Sequence, residues 1–324
     1  MEQLDVVIVG AGPAGLRAAK ILSEGGRKVV IFEKNPEVGH KICAGGLTSK
    51  VFDLGIPVSL ADKVFYSIKI HCFGRTHQIK RDKLLVATVS REKLGQWMVE
   101  QLNHRVEIMV NSQIVEIKDD HLILKTGQRV GFNYLIGADG SLSVVRKHLG
   151  LKSKRMAIGM QYNIPQVLDE LELFLDPKVF GSRYVWIFPH QKYTSVGCGY
   201  DLEEKREKVL ENFQRVLREN NISIKGTELE THPINFDYQG FIFGNKFLIG
   251  DAGGFSFGLA GEGIYPAIVS GAEVARKILN PGYKCPRIKK LLAIKSIQEK
   301  WAKFLMFKLF RSKLLTKLIL KRAV

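Results

Sequence analysis

Gly10-Ala11-Gly12-Pro13-Ala14-Gly15 spells GxGxxG, and Glu33 with Lys34 follows at the end of the next apolar run. Gly10 permits a tight turn, Gly12 lets a pyrophosphate approach the backbone, and Gly15 lets a helix lie close on a strand. A helix opening at Pro13 and Ala14 offers unpaired N–H groups and partial positive charge to phosphate. A carboxylate at Glu33 accepts hydrogen bonds from a ribose and repels a 2′-phosphate. The alternative is a glycine turn in some other α/β protein. Two further segments deliver an acid to a turn. Leu-Ile-Gly-Ala-Asp-Gly-Ser-Leu-Ser-Val-Val-Arg at 135–146 carries Asp139 and Gly140, before a helix opened by Ser141 or Ser143. Phe-Leu-Ile-Gly-Asp-Ala-Gly-Gly at 247–254 carries Gly250 and Asp251, with a helix expected near Gly263 and Ile264 after Gly261. Asp251 suits a ligand hydroxyl. Taken singly, each is also an ordinary strand-to-helix turn.

A thiol and an aromatic row form the remaining chemistry. Cys43 lies in the loop Gly39-His40-Lys41-Ile42-Cys43-Ala44-Gly45-Gly46-Leu47. A cysteine among glycines is sterically open to a cofactor face; the alternative is a small buried hydrophobe. Tyr184, Trp186 and Phe188, ending at Pro189, alternate along an expected strand and so share one face. That face suits an apolar chain or an ordinary aromatic core.

The elements that must position these residues follow from periodicity. An apolar strand at 4–9, a helix at 14–23 and a strand at 28–32 make a parallel βαβ unit. Strands are expected over 64–90, a helix over 91–103, and strands at 105–118, 121–125 and 129–136. The stretch 155–200 is again strand-like, 201–219 is a charged helix, and 240–279 is a strand, loop and helix. The fold class is α/β: a Rossmann-type nucleotide domain with an inserted, mainly antiparallel β-sheet domain and a C-terminal basic amphipathic helix. The expected nucleotide domain is 1–60, 91–154 and 237–280; the sheet domain is 61–90 and 155–236; the tail is 281–324.

In this order the motifs resemble the fingerprints of a flavoprotein superfamily shared by aromatic hydroxylases and geranylgeranyl reductases. The resemblance implies that the first motif binds the ADP part of FAD, that the GADG segment closes near the pyrophosphate, and that the GDA segment holds the ribityl chain. Ser90-Arg91 matches the arginine that those families place by FAD. Three features are similar to the geranylgeranyl reductase branch: the Cys43 loop, Tyr184-Val185-Trp186-Ile187-Phe188-Pro189 as YxWxFP, and Gly261-Glu262-Gly263-Ile264 as GEGI. The resemblance places Ala44 and Gly45 with the cofactor, Cys43 as the catalytic residue, and Tyr184, Trp186, Phe188 and Pro189 with the substrate. Gly258 and Ala260 depart from the family pattern, and members are usually longer.

The implied activity is FAD-dependent reduction of isoprenoid C=C bonds on a prenyl lipid or chain. Rivals on the same fold are a flavin monooxygenase, a quinone-linked dehydrogenase and an electron carrier without its own substrate. With no second GxGxxG and no CxxxxC pair, the electron donor (NADPH, ferredoxin or similar) must dock transiently. Four cysteines without CxxC spacing suit neither a disulfide framework nor a metal site. With the first strand starting near Met1, they predict a cytoplasmic protein.

The net charge of +17 calls for an acidic partner. From Lys289 onward eleven Lys/Arg stand against one acid, Glu299, interleaved with large apolar residues. Lys303, Lys308, Arg311, Lys313 and Lys317 exclude a spanning helix, at roughly 2.5–3.5 kcal/mol per central charge. An interfacial helix on an anionic membrane, at its inner face, accommodates both residue types. A helix packed on the protein is the alternative. Nucleic acid would leave Phe304, Phe307 and Phe310 unexplained.

Overall fold

The computed structural model describes residues 2–72, 74–181, 183–202, 204–258 and 261–304, arranged as two compact units. The first holds residues 1–41, 91–156 and 234–295. Its centre is the strand Glu2–Val9, which pairs in parallel with Arg129–Gly137 on one side and Val29–Phe32 on the other. Val6 to Val9 are all buried, because a strand covered on both faces must be apolar on both. Lys246–Leu248 and Val106–Met109 extend the sheet, also in parallel. Helices Pro13–Glu24 and Ile264–Leu279 pack together on one side. On the other, Val7 and Val9 join Phe132 and Leu135 against the antiparallel pair Ile114–Ile117 and His121–Leu124.

The second unit holds residues 42–90 and 157–233, with Ser296 and the described residues after it. Its main sheet has seven strands, ordered Glu230–Asn235, Met156–Ile164, Thr194–Asp201, Val185–Pro189, Glu172–Leu175, Ser67–Cys72 and Arg75–Lys80. Its pairings are antiparallel from Met156–Ile164 to Glu172–Leu175, which then pairs in parallel with Ser67–Cys72. Helix Arg206–Glu219 lays Val209, Phe213 and Leu217 on one face, against Met160, Tyr162, Val185, Ile187, Val196 and Cys198. Burial of the last raises its thiol pKa. A small sheet of Gly46–Thr48, Val86–Thr88 and Lys63–Phe65 completes the unit.

The α/β class with a Rossmann-type sheet and antiparallel strands is as the sequence predicts. Two boundaries differ. Residues 42–60 go with the second unit, because Gly46–Thr48 pairs with Val86–Thr88. Residues 281–295 are part of the first unit rather than of a separate tail. The helix Pro286–Phe304 buries Ile288, Leu291 and Lys295. Glu273, fully buried, accepts from the Tyr283 hydroxyl at 2.7 Å and the Arg287 N–H at 2.9 Å, fixing the start of that helix. The apolar residues at 288 and 291 therefore meet protein, not lipid. The remainder of the expected amphipathic helix, 305–324, lies outside the described residues.

Gly271 fixes the helix pair, since a Cβ there would stand 2.3 Å from the Ala14 carbonyl oxygen. Backbone cannot yield as a side-chain tip can, so Gly271→Ala should cost about 1–3 kcal/mol. Thermal melting of the purified variant checks this; an unchanged midpoint would mean the helices slide apart freely.

Candidate functional site

In the first unit the glycine motif divides by what surrounds each residue. Gly10 has φ +101°, and a Cβ on it would lie 2.6 Å from the Ala138 carbonyl oxygen. A Cβ on Gly15 would lie 2.2 Å from the Gly10 carbonyl oxygen. These two glycines are required by the fold itself, and the first motif is interlocked with the second. Around Gly12, by contrast, a Cβ meets nothing within 4 Å, and it is the same at Gly140. Helix Pro13–Glu24 has no side-chain cap, so the donors of its first turn face that open space.

Glu33 is buried at the end of its strand. It accepts the Ala11 N–H at 2.8 Å and the Asn35 N–H at 2.9 Å. Each oxygen retains acceptor capacity, so bracing the glycine turn and binding a ribose are compatible. Lys34 beside it is exposed.

Asp139 caps the helix Val144–His148, accepting from the Val144 N–H at 2.7 Å and the Val145 N–H at 3.4 Å; Ser143 adds a bond to the Arg146 N–H. Burial raises the Asp139 carboxyl pKa, although the Ser143 and backbone donors oppose this. Its second oxygen is buried with no protein partner among the described residues. Arg146 is 2 % exposed and donates to the carbonyls of Ala252, at 3.2 Å, and Asp237, at 2.8 Å.

Gly250 takes φ +56° and delivers Asp251, whose carboxylate accepts from the hydroxyls of Ser256 and Ser141 and from Lys41 Nζ at 2.9 Å. Asn235, fully buried, donates to the Asp251 carbonyl at 2.9 Å. Gly261, at φ +62°, leads to Gly263, whose Cβ would stand 3.0 Å from the Ser256 hydroxyl; Ile264 opens the helix behind it. Arg91 begins the helix Arg91–Glu100 with its Nε buried and without a protein partner among the described residues. The sequence reading missed Lys41, Ser141, Asn235 and Ser256, and gave Arg146 no role. Of these Lys41, Ser141 and Arg146 stand in segments it singled out, whereas Asn235 and Ser256 do not.

The second unit brings the Cys43 loop and the aromatic strand together. The position of a Gly46 Cβ is 2.4 Å from the Phe188 ring, and that of a Gly45 Cβ is 2.6 Å from His190. Cys43 is half-buried, whereas Cys72, Cys198 and Cys285 are buried. Tyr184, Trp186 and Phe188 are half-buried on the sheet face opposite helix Arg206–Glu219. The indole lies over Gly197 and donates to the Ser195 hydroxyl at 3.2 Å. Pro189 is buried and its carbonyl takes the Thr88 hydroxyl at 2.6 Å.

FAD fits the first unit on three observations: open space at Gly12, uncapped donors behind it, and two buried polar atoms, on Arg91 and Asp139, lacking protein partners among the described residues. Comparison with known proteins agrees. Residues 3–281 match the model of the FAD binding domain family. An uncharacterised protein of Methanosarcina barkeri is 30% identical over 86% of this chain and 75% of its own. The digeranylgeranylglycerophospholipid reductase of Methanocaldococcus jannaschii is 26% identical over 85% of this chain and 77% of its own. The solved geranylgeranyl bacteriochlorophyll reductase-like protein of Thermoplasma acidophilum shares the fold. Its TM-score is 0.78 at 22% identity, with 98% of this chain and 91% of that one covered. The fold extends to a Pseudomonas aeruginosa protein described as a probable FAD-dependent monooxygenase, at TM-score 0.73 and 19% identity over 94% and 97% of the two chains.

Two predictions follow from this geometry. Gly12→Leu should fold and melt as the parent does yet purify colourless, because its side chain enters the open space where a pyrophosphate would lie. Visible absorbance per chain decides, and full flavin occupancy would remove the pyrophosphate from Gly12. Asp139→Asn should stabilise the flavin-free chain. A carboxyl whose folded pKa is raised favours the fold while protonated and loses that contribution as pH rises through the folded value. The gain over the parent should therefore grow as pH rises through the range above an unfolded aspartate's ordinary value, about 4. Melting curves across that range test it, and a gain that shrinks with pH refutes it.

Proposed function

The chain belongs to the FAD binding domain family, and from that membership we propose that it is a reductase of isoprenoid carbon–carbon double bonds, acting on a prenyl chain or prenyl lipid. The observation that carries the reading is the seating of the Cys43 loop on the strand of Trp186 and Phe188 within one unit. Curated relatives named for geranylgeranyl reduction support the same chemistry.

The open face at Gly12 and the first turn of helix Pro13–Glu24 would hold the pyrophosphate. Glu33 would take the adenosine ribose and Asp251 the ribityl hydroxyls, and Arg91 and Asp139 would supply the polar atoms that lack protein partners among the described residues. FAD, when bound and reduced, supplies a hydride to one alkene carbon. An isolated alkene accepts hydride poorly, so a proton must reach the other carbon in the same passage. The Cys43 Sγ–H is that source, and the thiolate left behind regains its proton from water. Tyr184, Trp186 and Phe188 present a half-buried aromatic face that orients an apolar chain and excludes water. Electrons arrive from a transient donor, NADPH, ferredoxin or similar. A prenyl lipid is membrane-resident, and a chain of net charge +17 favours an anionic surface. No helix among the described residues is long and apolar enough to cross a membrane.

The test is anaerobic. The flavin is reduced chemically, prenyl lipids are presented in anionic or neutral vesicles, and flavin absorbance and lipid mass are followed. Expected are flavin reoxidation and addition of one hydrogen molecule per reduced bond, faster on anionic vesicles. Cys43→Ala should keep its flavin and slow reoxidation by about a hundredfold, the lower range for a positioned acid. Unchanged lipid mass sinks the reading. Oxygen uptake coupled to NAD(P)H and an aromatic substrate would point to a monooxygenase instead.

A further inference from the structure

His190 follows the aromatic strand directly and is 1 % exposed. Its ring stacks on Tyr193 at 4.3 Å, and its backbone N–H donates to the Tyr193 carbonyl at 2.8 Å. Nδ1 stands 2.9 Å from Asp62, whose same oxygen accepts the Ser90 N–H at 3.0 Å. Nε2 stands 3.0 Å from the Ala44 carbonyl oxygen. A carbonyl oxygen only accepts, so Nε2 carries the hydrogen in that bond; a carboxylate also only accepts, so the bond to Asp62 forms when Nδ1 carries a hydrogen as well.

The Ala44 carbonyl and the Gly45 N–H are two ends of one peptide group. That N–H donates to Cys43 Sγ at 3.4 Å. The Gly45 carbonyl is occupied in turn by the Val89 N–H at 3.0 Å. Gly45 itself takes φ +74° and lies too close to the imidazole for any Cβ, which would stand 2.6 Å from it. The ring, the peptide and the sulfur therefore form one ordered chain of donors: imidazole N–H to carbonyl, peptide N–H to sulfur. Hydrogen bonds in series polarise one another, most strongly where water is absent.

We propose that His190, held by Asp62, is a positioning residue for Cys43: it fixes and polarises the Ala44–Gly45 peptide, whose N–H then favours negative charge on the Cys43 sulfur. The significance for reduction rests on Cys43 being the proton source, because a thiol that must release its proton needs the resulting thiolate stabilised. The donor chain itself is independent of that reading.

The experiment measures alkylation of Cys43 by iodoacetamide in the intact, flavin-bound protein, followed by mass spectrometry of its peptide. The three other cysteines are buried, and burial pushes the Cys72 thiol up to about 11, so Cys43 dominates the reaction. His190→Ala should slow alkylation about three- to tenfold, the weight of one weakened hydrogen bond, and added imidazole should restore the rate. A purely structural histidine predicts the reverse, since a loosened loop exposes the thiol and speeds its modification. Asp62→Asn keeps the side chain's shape and removes its charge, and it should slow alkylation by a smaller factor; it serves if His190→Ala does not fold. Unchanged or faster alkylation in the folded variants overturns the proposal. Slowed alkylation in a protein that reduces no prenyl lipid would leave the donor chain standing and dismiss the reductase.

Discussion

A buried guanidinium holds the first unit's site together. Arg146 donates to the carbonyls of Ala252 and Asp237, and its own backbone N–H is taken by Ser143. The chain thus ties the turn after one strand to the turn after another, about a hundred positions on, and to the segment returning from the second unit. Burial lowers its pKa and the Asp237 carboxylate opposes this, so the charge is retained by its partners rather than by water. Each carbonyl left unpaired in such a place costs about 1–3 kcal/mol, which is why the three segments move together or not at all. Asn235 repeats the arrangement without charge, bonding Asp251 from one end and the Asp237 N–H from the other.

Given that frame, the glycines divide the labour. Gly10 and Gly15 let backbone meet backbone, and the contact of Gly10 with Ala138 means that the two nucleotide motifs shape each other. Gly12 and Gly140 leave space instead. A motif written as one string in sequence is therefore two physical statements, one about folding and one about a ligand. Uncapped helix donors stand beside the open space at Gly12, and the nearby Glu33 carboxylate is anchored by the Ala11 N–H.

Local periodicity made much of this legible. The βαβ start, the acids at strand ends and the alternation of Tyr184, Trp186 and Phe188 all follow from neighbours in the chain. What escaped was contact at long separation. Nothing around Asp62 announces His190, and nothing around Lys41 announces Asp251. The same limit misplaced residues 42–60, whose partner strand is Val86–Thr88. It also misassigned 281–295: basic and apolar residues in alternation suit lipid and protein equally until Glu273 is seen to hold the helix start.

The sheet of the second unit shows how one alternation serves two purposes. Val185, Ile187 and Pro189 point one way and are buried, the first two beneath helix Arg206–Glu219. Tyr184, Trp186 and Phe188 point the other way and stay half-buried. Phe188 rests on the buried cluster of Phe65, Ile68, Ile70 and Leu171, so that end of the row is part of a core, while Tyr184 and Trp186 meet edge to face at 6.3 Å. The Trp186 ring is seated by the missing side chain at Gly197 and by the Ser195 hydroxyl, which donates in turn to the Gln161 side-chain oxygen, while the Gln161 amide donates to Glu230. Restricting the indole before any ligand arrives removes an ordering cost of about 0.5–1.5 kcal/mol per side chain from binding. On the proposed reductase reading such a face would align a long apolar chain by shape, because that chain offers few polar handles.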